Sequence, residues 1–135
     1  MKFLFICKYN AFRSRVAEEY FKKISKNKKI KTLSRGLIMG GFSDREQRVM
    51  SRDLLGINIA KRGPLPLTIQ EMIWADKIIV VANDVHINTF NYAPVNVKKK
   101  VVIWKIKDEQ RRNKKNIKRI VLSIKRKVEK LNKKL

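Results

Sequence analysis

Cysteine, histidine and acid are what this chain has least of. Of its 135 residues one is cysteine, one is histidine and 11 are Asp or Glu. A lone Cys7 cannot close an internal disulfide, and a lone His86 excludes a metal cluster built on histidines. No metal ligand set and no organic cofactor motif is expected. Long hydrophobic runs are missing as well: none approaches the roughly 20 residues that span a bilayer. The short apolar run that follows Met1 and Lys2 is broken by Lys8 and Arg13 before a signal-peptide core can form. Internal repeats, low-complexity tracts and flexible linkers are absent. These gaps predict one cytoplasmic domain over residues 1–135, with no transmembrane segment and a length sufficient for a real core.

Against those 11 acids stand 34 Lys and Arg, a formal net charge of +23. A field of that sign attracts phosphate-bearing partners, including nucleic acid and acidic membrane surfaces. Basic residues are spread along the chain and not gathered in one arm, which is also what AT-biased coding or a hot or salty cytoplasm would produce.

Periodicity alternates between strand and helix. Residues 2–7 are apolar almost throughout, as in a strand buried on both faces of a parallel sheet. Val16, Ala17, Tyr20, Phe21 and Ile24 fall on one helical face within 13–25. Residues 28–34 read as a second strand, nearer an edge and stopping at Gly36. Ser43 with Glu46 three residues on predicts a capped helix that ends at Gly56. After the Gly63-Pro64 loop, Thr68 caps a short helix, and residues 77–82 form a third buried strand that Asn83 and Asp84 terminate. A brief helix or loop covers 85–92, and residues 101–106 form a fourth strand. From about residue 110 onward, Ile117, Ile120, Val121, Ile124, Val128 and Leu131 stripe a helix with a basic outer face. The fold class is therefore α/β, an open four-stranded parallel sheet with helices on both faces. Such sheets bind ligands beyond the carboxyl ends of their strands, where strand order reverses.

Cys7 ends the first strand. Five residues separate it from Arg13 and Ser14, which open the next helix. A loop closed onto a helix N-terminus in this way can aim several backbone N–H groups at one tetrahedral anion, and an anion-binding loop favours a thiolate over a thiol. Spacing alone is a weak signal, since a lone Cys-x5-Arg is common and a buried cysteine is often a small hydrophobe.

The run Cys7-Lys8-Tyr9-Asn10-Ala11-Phe12-Arg13-Ser14, followed by Ala17 and Glu18, resembles the low-molecular-weight protein tyrosine phosphatase family, whose Cys-x5-Arg-Ser loop lies near the N-terminus. Ser34-Arg35-Gly36, Leu55-Gly56-Ile57 and Ala75-Asp76-Lys77-Ile78 match further family segments in order, so the resemblance covers nearly the whole chain. It implies a flavodoxin-like sheet and a phosphomonoesterase that acts through a phosphocysteine intermediate. Its substrates would be a phosphorylated protein or a small aryl phosphate. Cys7 would be the nucleophile. Backbone N–H groups from Lys8, Tyr9, Asn10, Ala11, Phe12 and Arg13 would ring the phosphoryl oxygens, and the Arg13 guanidinium would hold two of them in a fork. Ser14 is placed to hydrogen-bond the thiolate, and Asn10 can tolerate a left-handed backbone and tie the loop to itself.

The family's general acid is an Asp followed by Pro after the last strand. Here that place reads Lys107-Asp108-Glu109, which makes Asp108 the expected acid, with Glu109 where the proline would stand. An N-cap for the final helix is the other reading of Asp108. Tyr9 replaces a common glycine and can narrow the mouth or stack on an aryl group. Phe12 replaces a cysteine that would guard Cys7 against overoxidation. A single thiol also excludes the internal relay that related arsenate reductases use. Trp74 and Trp104 adjoin apolar runs and read as packing. The competing reading is a basic module for nucleic acid or phosphoprotein, built on the same scaffold with little turnover. The intact set Cys7, Arg13 and Ser14 weighs against it.

Overall fold

A computed structural model describes residues 1–107 and 113–135 of the chain. Four strands, β1 (Lys2–Cys7), β2 (Lys31–Gly36), β3 (Lys77–Val81) and β4 (Val101–Trp104), make an all-parallel sheet in the order β2-β1-β3-β4. Helices α1 (Arg13–Ile24), α2 (Arg45–Leu55), α3 (Ile69–Trp74), α4 (Val95–Lys98) and α5 (Lys114–Lys133) connect or follow them. Among the described residues, no helix is long and apolar enough to cross a membrane.

Alternation along β1 divides the core. Phe3 and Phe5 face α1 and α5, where they meet Val16, Phe21, Ile120 and Ile124. Leu4 and Ile6 face the other side, with Met72 of α3, Val85, Phe90 and Val97 of α4. Both faces of the central strands are thus covered, which is why their sequences are apolar without a polar alternate. The basic outer face of α5 stays in solvent, and its stripe Ile117, Ile120, Val121, Ile124 and Val128 is fully buried.

Chain order and sheet order diverge at one place. The chain leaves β1 for β2 on one side and later returns to β3 on the other, so a crevice opens beyond Cys7 and Val81. Cys7 pairs in register with Gly36, and a Cβ on that glycine would lie 2.6 Å from the Tyr9 carbonyl carbon and 2.8 Å from the Asn10 nitrogen. Gly36 is the space into which the loop after β1 folds.

Several boundaries differ from the periodicity reading. Strand β2 starts at Lys31 because the Asn27 side chain accepts from the Lys29 N–H at 3.0 Å and turns the preceding lysines out of the sheet. Asp44, and not Ser43, caps α2, since its carboxylate and the Gln47 side chain form a reciprocal capping box. Strand β4 ends at Trp104, where the Ile106 N–H bonds back to the Trp104 carbonyl in a tight three-residue turn. The short helix α4 behind Pro94 interrupts a stretch that periodicity left unassigned. Asn113, bonding the Asn116 N–H at 2.9 Å, is the N-cap of α5, so the capping role considered for Asp108 falls to another residue.

Candidate active site

The first turn of α1 explains how its N-terminus can receive an anion. Phe12 stands at the N-cap with no side-chain capping bond, and the turn Arg13-Ser14-Arg15 contains no acid. Free N–H groups and like-signed charge at a positive dipole end are unfavourable unless a negative group sits there. Phe12 itself is buried in the core beside Val16 and so anchors the loop from within.

Asn10 is the loop's internal fastener. It has a left-handed backbone (φ 56°) and is fully buried. Its Nδ2 donates to Ser14 Oγ at 2.8 Å and to Ser34 Oγ at 2.9 Å, and its Oδ1 accepts from Arg62 Nη1 and the Leu65 N–H, both at 3.1 Å. Every hydrogen-bonding position of the amide is used, and two donors facing Oδ1 fix which way it points. The consequence reaches the thiol. Ser14 Oγ already accepts from Asn10, so its own hydrogen is available to Cys7 Sγ, 3.0 Å away.

Beneath this loop lies a buried charge cluster. Glu18 takes hydrogen bonds from Ser34 Oγ at 2.6 Å, Arg62 Nη2 at 3.2 Å and Lys22 Nζ at 2.8 Å, and it pairs with the fully buried Arg15. Burial pushes the Glu18 carboxyl upward. The hydrogen bonds from Lys22 and Ser34 and the charges of Lys22 and Arg15 together outweigh it and hold the group below its usual range. Burial, and then the charge of Arg15, lower the Arg62 guanidinium from its ordinary value. Helix α1, strand β2 and the loop at 61–66 are cross-linked here.

Arg13 is 4% exposed, and its guanidinium reaches Asp84, with Nη1 3.1 Å from Oδ1, and donates to the Ile106 carbonyl at 3.1 Å. Asp84 follows β3, so the strand order brings it to Cys7's end of the sheet. The cleft itself, of about 640 Å³, is lined by Cys7, Ala11, Phe12, Arg13 and Gln47, with Tyr9, Ile38, Met39 and Phe42 around its rim. Tyr9 is held there by Gly41, where any Cβ would collide with its ring, and Lys8 Nζ lies 5.4 Å from the ring centroid.

Cys7, Asn10, Arg13 and Ser14 are therefore brought together, while Asp108 and Glu109 lie outside the described residues. Trp104 is 8% exposed and packs in the core, and Trp74 packs against the other cluster. Among the described residues, no group of three or more His, Cys, Asp or Glu side chains could hold a metal ion. Sequence reasoning did not single out Asp84, Glu18 as a charge centre, or Arg62. Asp84 could have been found from the strand-end rule, and Glu18 from its i+4 relation to Ser14 on one helix face. Nothing in residues 61–66 announces that Arg62 turns inward.

Residues 2–135 match the family model described as low molecular weight phosphotyrosine protein phosphatase. Among solved structures the chain is similar to a low molecular weight protein tyrosine phosphatase from T. tengcongensis, with a TM-score of 0.87 and 22% identity over 100% of this chain and 99% of that one. It is similar also to Wzb from Vibrio vulnificus in complex with benzylphosphonate (TM-score 0.83, 22% identity, 99% of this chain and 98% of that one). The YwlE arginine phosphatase from Geobacillus stearothermophilus gives a TM-score of 0.83 at 16% identity, over 98% of this chain and 91% of that one. The comparison with curated proteins returned no match. Structural likeness at these identities speaks for the fold alone, whereas the family model runs through the whole sheet and every helix around the Cys7 cleft: the chain belongs to the low molecular weight phosphotyrosine protein phosphatase family and is a cysteine-dependent phosphatase.

Proposed function

We propose that the chain, acting as one domain in a reducing cytoplasm, hydrolyses phosphotyrosine in proteins through a phosphocysteine on Cys7. The observation that carries this is the Cys7 Sγ to Ser14 Oγ contact at 3.0 Å, made by a hydroxyl whose oxygen accepts from Asn10 Nδ2 and whose own hydrogen can turn to a sulfur that has lost its proton. A hydroxyl held that way donates to a thiolate and stabilises it both before attack and as a leaving group.

In the first step the Cys7 thiolate attacks phosphorus in line, the S–P bond forms and the P–O ester bond breaks. The departing oxygen takes a proton from Asp108. In the second step Asp108 takes a proton from water, the water oxygen attacks phosphorus, and the S–P bond breaks to return the thiolate and inorganic phosphate. Backbone N–H groups of the loop and the Arg13 guanidinium carry the charge that builds on the equatorial oxygens. Asp108 is assigned from the family resemblance.

An aryl group suits the cleft. Tyr9, Ile38, Met39 and Phe42 offer apolar faces around the mouth, and the described residues lining it include no carboxylate for a guanidinium. Phosphoarginine, suggested by the arginine phosphatase among the structural relatives, is the competing substrate. Steady-state rates on phosphotyrosine and phosphoarginine would be compared for wild type, Cys7→Ser and Asp108→Asn from pH 5 to 8. Wild type is expected to prefer phosphotyrosine, Cys7→Ser to be inactive, and Asp108→Asn to lose about 10²-fold or more in kcat, the usual worth of a general acid. Wild-type turnover no greater than that of Cys7→Ser would refute the phosphocysteine route, and a preference for phosphoarginine would refute the assignment of substrate.

A further inference from the structure

Helix α2 carries Arg45, Arg48 and Arg52, spaced by three and four residues and so aligned on one face. All three are exposed, and they line an open groove of about 430 Å³ together with Val49, Ile57 and Asn58. Folding does not call for this arrangement. The inward face of the helix is supplied by Gln47, Ser51 and Leu55, like charges at these spacings repel, and Arg45 in the first turn opposes the helix dipole. Asp44 at the N-cap and Glu46 in the first turn offset part of this at the start of the helix, and farther along relief is weak. Asp53 lies 3.3 Å from Arg52, but both side chains are mostly in solvent, where such a pair is weak.

The groove neighbours the catalytic cleft through one intervening depression. Ala11 and Phe42 line both that cleft and a neighbouring depression of about 220 Å³, and Arg48 lines both the depression and the arginine groove. Arg48 also donates to the Ser43 carbonyl, which lies on the depression side of the helix. Three adjoining depressions thus lead from where the phosphoryl group would sit to the guanidinium groups of α2, the side chain best shaped for carboxylates.

We propose that this face of α2 is a substrate-docking subsite for an acidic segment, rich in Asp or Glu, that flanks the phosphorylated residue of the protein substrate. The inference rests on the phosphatase reading above. Two helical turns separate Arg45 from Arg52, about 10 Å, which an extended segment covers in about three residues.

The test uses two phosphotyrosyl peptides of equal length, one flanked by Asp and Glu and one by Asn and Gln, with p-nitrophenyl phosphate as a reference too small to reach α2. Wild type, the triple variant Arg45→Gln/Arg48→Gln/Arg52→Gln and a control triple on the outer face of α5, Lys118→Gln/Arg119→Gln/Lys127→Gln, are compared at low and physiological salt. Three exposed ion pairs predict a wild-type preference for the acidic peptide of about tenfold in kcat/KM, expressed in KM and shrinking with salt. The α2 triple variant should lose that preference yet hydrolyse the aryl phosphate within about twofold of wild type, and the α5 control should keep it. Equal use of both peptides by wild type, or equal loss in the α5 control, would overturn the subsite, the latter because the whole basic surface would then be responsible. Single-stranded DNA that inhibits peptide turnover at physiological salt through the same arginines, with no acidic-peptide preference, would make the groove a nucleic-acid site and overturn it too. If wild type fails on p-nitrophenyl phosphate itself, the phosphatase reading fails; if it succeeds and the peptides are used alike, only the docking subsite does.

Discussion

Asp84 grips Arg13 from the loop after β3: the guanidinium Nη1 lies 3.1 Å from Oδ1 and Nη2 donates to Oδ2 at 3.4 Å. An arginine that must offer two donors to a phosphoryl group benefits from a carboxylate that fixes its plane. The same carboxylate also repels a dianionic substrate. Asp84→Asn should therefore lower kcat about tenfold, equivalent to about 1.4 kcal/mol, while KM changes little or falls. Steady-state kinetics on an aryl phosphate decides it, and an unchanged kcat would remove the orienting role.

Gly36 sits under the loop at Tyr9 and Asn10, where an alanine methyl would come 2.6 Å from backbone that has nowhere to go. Gly36→Ala should displace the phosphate loop without touching any reacting group. The expected loss is about 10²-fold in kcat/KM, since misplacement of about 1 Å is enough for that, with near-normal far-UV circular dichroism. Wild-type kinetics in that variant would show that the loop tolerates the shift.

Removing Asn10 should be felt as stability before it is felt as rate. Asn10→Ala leaves two serines, Arg62 and the Leu65 N–H without their shared partner, at a cost of about 2 to 4 kcal/mol, and adds left-handed strain. Asn10→Gly relieves the strain but not the lost bonds, so it is expected to cost no more than the alanine. Urea unfolding of both variants measures the difference.

Acid stability should report on Glu18. Its carboxyl in the folded chain lies below the ordinary 4.5. The stability it contributes is therefore complete above about pH 4.5 and is lost as pH falls through the lower folded value. Glu18→Gln should flatten that part of the stability curve and, by leaving buried Arg15 with Glu19, 3.5 Å from its Nη2, as its remaining carboxylate partner, cost about 3 kcal/mol at pH 7. Denaturant midpoints between pH 2.5 and 7 test the sign: a wild-type curve no steeper than that of the variant below pH 4.5 would contradict it.

Oxyanions should stabilise the fold. Phe12 at the N-cap makes no side-chain capping bond and the first turn of α1 holds no acid, so phosphate or vanadate in the loop adds a favourable complement to that helix end. At 100 times its dissociation constant such a ligand adds about 2.7 kcal/mol to unfolding. Thermal melts should rise for wild type in phosphate and stay unmoved for Arg13→Ala. No shift in wild type would argue against an anion site at Cys7.

How far the chain could be read follows from where its constraints are local. Strand β1 and helix α1 emerge from their own patterns, because a fully buried strand and a one-faced helix leave little choice of register. The α2 cap moved by one residue because Gln47 can close a box only with Asp44. The end of β4 depends on one backbone bond from Ile106 to Trp104, which no side chain advertises. Cys7, Arg13, Ser14 and Asn10 were readable because the loop is contiguous. Asp84 and Arg62 join it only through strand order and loop closure, and their charges look like those of ordinary surface residues in sequence.

The loop sorts its own letters into fixed and adjustable ones. Asn10, Phe12, Arg13 and Ser14 are turned inward and spoken for, while Tyr9 and Ala11 face the opening to differing degrees. For protein engineering this separates selectivity from scaffold: a two-position library at 9 and 11 would remodel what enters the cleft while every bond that the Asn10 side chain makes stays in place.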